Sequence, residues 1–298
     1  MTAPSEVEAL AEQRRLAREE KDYAASDALR AQIAELGWSV KDTPEGQRLT
    51  PAPPYPVVGS VADLPDRSGD PDSGRCTVAL LVEGWPDDLR TCVEALLAHT
   101  PDDVGLVLLE NGETDAGAVV HELAADPRVT ELHVERAAGW AEARNALLRW
   151  DTAPAHVLMD VSTVLEGDAL SPLLDALQDA DAVGWRGVQV EDGWLSFTDS
   201  PPGEVEALLS YLITVRREAA AAVPLPAKAR FYRNADMEWS FLLREQGRRL
   251  VAVDVPVRQD RHRGYHDSDP VVRDRESKKT YDRFLQRFRG REDLRLPR

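Results

Sequence analysis

The spacing of hydrophobic and polar positions predicts two short helices at the start of the chain. Residues 5–37 carry small and apolar side chains at helical intervals, interrupted by a polar connection at residues 21–23. Gly37 stands where the residue after a helix C-terminus favours glycine. We expect the two helices to pack as an antiparallel hairpin, with Trp38 and Val40 closing its open end.

The pattern is interrupted over residues 49–74. Five prolines fall between Pro51 and Pro65, and a run rich in Gly, Asp and Ser follows. Proline removes backbone donors, and such a composition does not support a core helix. We predict a linker here, partly extended.

From residue 75 onward, continuous apolar runs alternate with amphipathic segments. Uninterrupted apolar runs are typical of strands that are covered on both faces, and strands that alternate with helices through short loops indicate a parallel, doubly wound α/β sheet. The predicted strands cover residues 76–83, 104–112, 129–135 and 156–160, with helices over residues 85–100, 114–126 and 139–150.

In the first, second and fourth of these predicted strands, an acidic residue follows the apolar run directly. These residues are Glu83, Glu110 and Asp160. Since ligands bind at the carboxyl edge of open α/β sheets, we expect the three side chains to line one site. No GxGxxG follows the first strand and no GxxxxGK[ST] is present, so a dinucleotide-binding fold and a P-loop are not supported.

Composition sets the class of protein. The 298 residues are 43% hydrophobic and 30% charged, enough for one or two domains with a real core. No stretch approaches the ~20 apolar residues of a transmembrane helix, and residues 1–15 do not resemble a secretory signal. Cys76 and Cys92 are expected to be reduced thiols, because no CxxC or zinc-type spacing is present. We expect a cytoplasmic protein.

The net charge of −17 argues against nucleic-acid binding by the whole surface. The charge is uneven, because 13 basic and 8 acidic residues lie from Arg258 to the end. This tail can serve an anionic partner or be a solvated charged surface. A terminal helix is predicted over residues 271–290, with a docking face formed by Val272, Tyr281, Phe284, Leu285 and Phe288.

The N-terminal hairpin resembles the C-terminal helical element of cysteinyl-tRNA synthetases. The matching positions are Ala17, Arg18, Lys21, Asp22, Tyr23, Ala24, Asp27, Leu29, Arg30, Gly37, Asp42, Thr43, Pro44 and Gly46. In the synthetases this element lies with the anticodon-binding part, so the resemblance implies a tRNA partner or a protein partner for the hairpin. The segment holds 10 acidic and 7 basic residues through Arg48, which favours a docking module. The catalytic motifs and zinc-site cysteines of the synthetases are missing.

The rest of the chain resembles the family 2 glycosyltransferases of the GT-A fold. The motifs that carry the resemblance lie in order at residues 110–115, 139–145, 160–162, 216–218 and 235–239. The resemblance implies a GT-A-like, mostly parallel sheet with helices on both faces, preceded by the small helical hairpin. The predicted domains are the hairpin over residues 1–48, the linker over 49–74 and the glycosyltransferase-like domain over 75–298.

The same resemblance implies a reaction and a set of site residues. A sugar would pass from a nucleotide-sugar donor to an unknown acceptor, with inversion. Asp160, Ser162 and His262 would hold Mn²⁺ or Mg²⁺, and Asp236 would act as the base with Glu238 beside it. The residues expected to contact the donor are Glu83, Glu110, Asn111, Arg144, Asp160, Arg216 and Arg217.

Two departures from the family pattern leave alternatives open. Ser162 stands where the family has a second metal-facing Asp, and Ala235 stands before Asp236 where the family has Glu. The alternatives are a catalytically degenerate GT-A-fold binding or scaffold protein, and a protein associated with tRNA or a synthetase. Asp160 can also simply cap a turn, and Asp236 can cap a helix.

Overall fold

The protein divides into two compact units. The computed structural model describes residues 2–44 and 46–297. The first unit is Met1–Pro56 and the second is Val57–Arg298. Among the described residues, no helix is both long enough and apolar enough to cross a lipid bilayer.

The first unit is a helical hairpin followed by a β-hairpin. Helices α1 (Ser5–Glu19) and α2 (Tyr23–Glu35) precede the antiparallel strands β1 (Trp38–Thr43) and β2 (Gly46–Pro51). Gly37 has φ +77°, which confirms its position after the second helix. Trp38 and Val40 do pack against the helices, in a small core that also contains Val7, Ala11 and Ile33.

The prediction of a linker over residues 49–74 is wrong for much of that stretch. Residues 49–51 belong to β2. Val58 accepts a backbone hydrogen bond from Glu135 and donates one to His133, so it extends the edge of the second unit's sheet. Val61 is 2% exposed in the core of the second unit. Pro53, Pro54 and Pro56 fall between β2 and Val58, outside these contact points.

An eight-stranded sheet forms the centre of the second unit, with the strand order β11-β14-β8-β13-β6-β3-β4-β5. The pairs β6-β3, β3-β4, β4-β5 and β8-β14 are parallel, whereas β13 runs antiparallel to both of its neighbours. This confirms the predicted mostly parallel α/β sheet. The strands are β3 (Cys76–Val82), β4 (Val104–Asn111), β5 (Val129–Val134), β6 (Ala155–Met159), β7 (Thr163–Leu165), β8 (Ala182–Gly184), β9 (Gly187–Val190), β10 (Phe197–Ser200), β11 (Gly203–Glu204), β12 (Ala207–Leu208), β13 (Leu212–Arg216), β14 (Leu250–Ala252) and β15 (Val257–Gln259).

Helices cover both faces of this sheet, as predicted. Their bounds are α3 (Pro86–His99), α4 (Gly117–Leu123), α5 (Trp140–Trp150), α6 (Leu170–Ala176), α7 (Arg217–Ala222), α8 (Ala235–Glu245), α9 (Arg263–His266) and α10 (Pro270–Phe288). Helices α5, α7 and α8 bury their apolar sides in one core, and α3, α4 and α6 do so in the other. The fully buried central strands explain the uninterrupted apolar runs in the sequence.

The C-terminal helix packs against a separate aromatic cluster. Phe284 and Phe288 of α10 lie within 5.5 Å, between ring centroids, of Phe241 of α8. Trp194 joins them from the loop after β9. The prediction that Val272 docks is wrong, because its side chain remains 43% exposed near the start of α10.

Candidate active site

Asp160 follows β6 at the carboxyl edge of the sheet. Its backbone N–H donates to the carbonyl of Tyr211 over 3.1 Å. Its Oδ1 accepts from the backbone N–H of Ser162 at 2.9 Å and from the Ser162 hydroxyl. Such side-chain-to-backbone bonds two residues on are what an Asx turn uses. The predicted turn-capping role of Asp160 is therefore present, and Oδ2 remains directed elsewhere.

His262 reaches Asp160 because β15 pairs with β7. That antiparallel pair lays Gln259 beside Thr163, three residues after Asp160. The Nε2 of His262 then lies 3.2 Å from Asp160 Oδ2. The backbone N–H of Tyr265 donates to His262 Nδ1, which leaves the proton of the neutral ring on Nε2.

The two groups shift each other's pKa. Burial opposes the charged form of His262, but the hydrogen bond and charge of Asp160 outweigh it and raise the pKa. Burial raises the pKa of Asp160, but the hydrogen bonds of His262 and Ser162 outweigh burial, so the pKa is lowered. The arrangement therefore favours an ionised Asp160 carboxylate that accepts a hydrogen bond from Nε2 of His262.

Two tyrosines hold the ring of His262. Tyr232 stacks on it at 4.4 Å between centroids and 19° between planes, and Tyr211 meets it edge-on at 5.8 Å. Burial, followed by the charges of Tyr211, Asp160 and Asp236, raises the pKa of Tyr232. Tyr232 is thus a neutral ring that packs on His262 at the cleft.

Arg144 lies beneath these groups and ties two strands together. Its guanidinium donates to the carbonyls of Ala79 in β3 at 2.6 Å and Met159 in β6 at 2.8 Å. Burial lowers its pKa to about 10, against the charges of Asp160 and Glu83. Two of its nitrogens are thus committed to the sheet, so Arg144 supports the site floor rather than extending into the cleft.

Glu83, which follows β3, meets Asn111 in the same region. Burial raises the pKa of the Glu83 carboxyl, although the residue keeps an exposed surface at the cleft. Asn111 donates to Glu83 at 3.3 Å and to the carbonyl of Ala138 at 3.0 Å, and it accepts from the Ala138 N–H. The expected meeting of strand ends at one edge is therefore observed for Glu83 and Asp160, with Asn111 beside Glu83, and not for Glu110.

Glu110 shapes the turn that follows β4. Its Oε1 accepts from the backbone N–H and the hydroxyl of Thr114, and its Oε2 lies 2.7 Å from His133 Nδ1. The residue is 4% exposed. Both carboxylate oxygens are engaged inside the protein, so in this structure Glu110 fixes the turn and presents no oxygen to a ligand.

Asp236 and Glu238 lie in the first turn of α8. Asp236 Oδ2 accepts from the N–H of Ser210 at 3.0 Å and from its hydroxyl at 3.2 Å, and burial raises the pKa of Asp236. The helix begins at Ala235, so Asp236 lies inside its first turn and is not its cap; Asn234, with φ +67°, occupies the cap position. Glu238 instead pairs with Arg283 of α10 at 2.9 Å and is 6% exposed.

The predicted position of Arg216 and Arg217 near the donor is wrong. Strand β13 runs antiparallel to β6, so Arg216 pairs with Ala155 at the opposite edge of the sheet from Asp160. Arg216 donates to the carbonyls of Leu177, Gln178 and Ala180. Arg217 contacts Asp72 and the carbonyl of Ser68. Both arginines hold loops at the amino edge of β6.

A narrow cleft opens above Asp160. Its walls are Trp85 and Asp88 at the start of α3, Trp140 of α5, Tyr232, and the segment of residues 261–264, with Arg144 at its floor. Arg263 donates to Asp88 at 2.7 Å, and a Cβ added at Gly264 would lie only 3.7 Å from the Trp85 ring. The segment that carries His262 therefore lies across the cleft.

The donor set suits a hard divalent cation whose remaining ligands come from a bound molecule. Asp160 and His262 supply a carboxylate and an imidazole, with the Ser162 hydroxyl beside them. Carboxylate and hydroxyl oxygens fit Mg²⁺ or Mn²⁺. Within residues 2–44 and 46–297, no cluster of three or more His, Cys, Asp or Glu side chains is placed to hold a metal by itself.

Several residues of the site carry no sequence signal that marks them. Tyr211 and Tyr232 flank His262, and Thr114 and His133 fix Glu110. Except for Thr114, each of these residues lies 23 to 51 positions from its partner. The contacts follow only from the pairing of β15 with β7 and of β4 with β5.

Comparison with known proteins finds a family match for each unit. The family model of glycosyl transferase family 2 matches residues 82–268. The model of the cysteinyl-tRNA ligase anticodon binding domain matches residues 2–49. The central sheet, its helices and the acidic carboxyl-edge site define a glycosyltransferase of the GT-A fold. The chain belongs to glycosyl transferase family 2, whose match spans more than half of it.

Curated cysteine–tRNA ligases match the chain over its N-terminal part. A cysteine–tRNA ligase from Opitutus terrae is 53% identical over 49 residues, which is 16% of this chain and 11% of the relative. One from Desulfovibrio desulfuricans is 61% identical over 41 residues, 14% of this chain and 8% of that protein. The chain therefore spans about a tenth of the length of the curated relatives it matches.

Solved structures share the fold of the second unit. GalNAc-T7 with UDP, GalNAc and Mn²⁺ superposes with a TM-score of 0.59 at 15% identity, over 72% of this chain and 48% of that chain. The mannosyltransferase PcManGT from Pyrobaculum calidifontis, in complex with GDP-Man and Mn²⁺, gives a TM-score of 0.53 at 19% identity, over 70% and 64%. At these identities the likeness concerns the fold alone.

Proposed function

We propose that the protein transfers a sugar from a nucleotide-sugar donor to an acceptor hydroxyl at the cleft above Asp160. The observation that carries the proposal is the convergence of Asp160, His262 and Ser162 at the carboxyl edge, within a family 2 glycosyltransferase. The two solved neighbours were each determined with Mn²⁺ and a nucleotide or nucleotide-sugar, which supports the same chemistry here.

Asp160 and His262 would hold a divalent cation, with Ser162 as a neutral neighbour. Such a cation acts as a Lewis acid on the oxygens of the leaving diphosphate. Because Asp160 and His262 bond each other in this structure, each would exchange that contact for one to the cation. The ring proton of His262 would then lie on Nδ1, in place of the hydrogen bond from the Tyr265 N–H. Arg144 keeps the ends of β3 and β6 together below this centre, and Glu83 with Asn111 forms the adjacent donor wall.

Asp236 is the proposed base for an inverting single displacement. Burial raises its pKa, which makes its carboxylate a better proton acceptor than an exposed aspartate. Tyr232 feels the charges of both Asp160 and Asp236, which supports placing the base near the donor centre. Ser210 holds the carboxylate in place through Oδ2. Glu238, bound to Arg283, would orient α8 and take no part in proton transfer.

A thermal-shift screen tests the proposal. UDP-, GDP- and dTDP-sugars are added with and without Mn²⁺, and we expect one donor to raise the melting temperature only when the metal is present. Asp160→Ala should abolish that shift, whereas Asp175→Asn, an exposed aspartate on α6, should keep it. Absence of any metal-dependent shift would favour the alternative of a degenerate binding or scaffold protein.

For the first unit we propose a tRNA partner or a synthetase-type protein partner. The support is its match to the anticodon-binding domain of cysteinyl-tRNA ligases over residues 2–49. A filter-binding titration with bulk tRNA at ~150 mM salt tests this, because specific phosphate contacts survive that screening. We expect Lys21→Glu to weaken binding; an unchanged affinity would favour the protein partner. A cytoplasmic location stays a prediction.

A further inference from the structure

A short basic segment borders the candidate active site. Residues 219–235 contain Lys228, Arg230 and Arg233 and no acidic residue, in a protein of net charge −17. All three cations are exposed. We name residues 226–234, with the sequence PAKARFYRN, the basic loop. It connects α7 to α8, so it leads directly to Asp236.

The fold fixes the basic loop against the cleft. The backbone carbonyls of Ala229 and Arg230 accept from the first N–H groups of α5, those of Ala141 and Trp140, at 3.0 and 3.1 Å. Tyr232, from the same loop, stacks on His262. The main chain is therefore held at the site while the cationic side chains extend outward.

These cations have few internal partners. Among the residues that the structure describes, the side chains of Lys228 and Arg230 make no hydrogen bond or ion pair. Arg233 donates to the Tyr265 hydroxyl at 2.7 Å and lies 5.1 Å from that ring, without a carboxylate hydrogen bond. Most other arginines near the cleft are neutralised, for example Arg261 by Asp267 and Arg263 by Asp88.

Aromatic rings alternate with the cations. Phe231 and Tyr232 lie 4.7 Å apart between centroids, and Phe231 is partly exposed. Arg273 and Arg233 both lie over the ring of Tyr265 nearby. Cations that bind phosphates, interleaved with rings on which bases stack, are the pattern by which proteins bind single-stranded nucleic acid.

Resting on the proposed function, we propose that the acceptor is an RNA, held by the basic loop beside Asp236. The anomeric carbon of the sugar forms a bond to an RNA oxygen, and its bond to the diphosphate oxygen breaks. The proton of the RNA hydroxyl goes to the Asp236 carboxylate, and the nucleoside diphosphate leaves. Lys228 and Arg230 bind backbone phosphates, and Phe231 stacks on a base.

Binding of fluorescently labelled bulk tRNA to the full chain, followed by anisotropy, tests the loop. In Lys228→Ala/Arg230→Ala we expect at least tenfold weaker binding. The slope of log K against log salt concentration should become shallower by about 1.4, since each lost phosphate contact to single-stranded RNA removes about 0.7 from that slope. Arg149→Ala/Arg289→Ala removes two exposed arginines outside the cleft and should change neither. Equal behaviour of the two double variants would overturn the proposal.

Phe231→Ala separates RNA from other polyanions. We expect it to weaken tRNA binding about tenfold, because stacking is lost, and to leave heparin binding unchanged. Equal losses for tRNA and heparin would overturn the RNA assignment in favour of an anionic glycan or another polyanion.

Transfer itself is followed with the donor that stabilises the protein in the thermal-shift screen, labelled in its sugar. We expect label in precipitated tRNA with the parent protein and the Arg149→Ala/Arg289→Ala control, and at least tenfold less with Lys228→Ala/Arg230→Ala. Donor stabilisation without label in tRNA would overturn the RNA acceptor and leave the proposed function standing. If no donor stabilises the parent protein or any variant, the proposed function itself is overturned.

Discussion

Strand β6 has a carboxylate–histidine pair at each end, and the two pairs differ in access. At the amino end, Asp151 Oδ2 lies 2.6 Å from His156 Nδ1, and their side chains are 2% and 0% exposed. At the carboxyl end, Asp160 and His262 lie 3.2 Å apart and are 25% and 10% exposed at the cleft. The same two side-chain types therefore form a sealed pair at one edge and an open pair at the other.

The difference follows from chain direction and loop placement. Asp151 also accepts from the N–H of Ala153, so the sealed pair fixes the turn that enters β6. The open pair is assembled from residues 102 positions apart, and a turn residue, Ser162, supplies the other bonds of Asp160. A carboxylate–histidine pair thus indicates a reactive site only where a cleft reaches it.

The largest loss of activity should come from replacing Asp236, which belongs to neither pair. Asp236→Asn keeps the size of the side chain and removes the base, so we expect kcat to fall about a thousandfold with little change in the KM for the donor. Ser210→Ala, which removes only the hydroxyl that holds Asp236, should lower kcat much less. Steady-state kinetics with the donor and acceptor checks both. A similar fall in donor affinity would contradict a base role.

The pH dependence of kcat has a defined sign. Burial raises the pKa of Asp236, and a base must be deprotonated, so kcat should fall as the pH drops through that raised value, beginning above the ordinary pKa of about 4. The ionised carboxylate also costs folding stability as the pH rises through the same range. A kcat profile that stays flat down to about pH 4 would argue against Asp236 as the base.

Breaking the sealed pair should affect stability alone. Asp151→Ala leaves His156 and the Ala153 N–H without a buried acceptor, which we expect to cost about 3 kcal/mol of unfolding free energy. Urea unfolding measures the loss, and nucleotide binding at low temperature should be unchanged. A specific loss of donor binding in a folded Asp151→Ala protein would remove the distinction between the two pairs.

Two arginines sharpen the contrast between the edges. Arg144→Met, at the carboxyl edge, should cost about 3 kcal/mol and weaken donor binding, since it frees the carbonyls of Ala79 and Met159 and leaves Glu83 and Asp160 without a nearby cation. Arg217→Met, at the other edge, should cost about 1 kcal/mol and leave donor binding unchanged. Urea unfolding and donor titration distinguish the two outcomes.

Much of this architecture follows from the sequence. The apolar runs that end at Glu83, Glu110 and Asp160 predicted three central strands and the common edge, because parallel strands covered on both faces leave an uninterrupted signal. Asp160 and His262 were both expected near a metal site, and the structure brings them together.

Other features required the tertiary structure. The roles of Arg216 and Arg217 depended on the direction of β13, which its sequence does not encode. Glu110 faces Thr114 and His133 inside the protein because of the register between β4 and β5. Tyr232 stacks on His262 only after two distant loops meet, and Val58 joins the sheet despite its proline-rich surroundings.

A smaller effect is expected from restoring the carboxylate that the family has at Ser162. Ser162→Asp adds a second charged oxygen beside Asp160, so we expect Mn²⁺ to bind about tenfold more tightly in the presence of nucleotide. The same substitution at Ser171, an accessible serine on α6, should have no effect. Unchanged metal affinity would show that position 162 does not face the cation.

Calorimetric titration of the Mn²⁺–nucleotide complex tests the open pair most directly. The nucleotide is that of the nucleotide-sugar that stabilises the protein in the thermal-shift screen. It is titrated, with and without Mn²⁺, into the parent protein, Asp160→Ala and Asp151→Ala. We predict metal-dependent binding to the parent and to Asp151→Ala, and at least a hundredfold loss in Asp160→Ala. Equal binding to all three, or binding that ignores the metal, would contradict the assignment of Asp160 and His262 as the centre of the site.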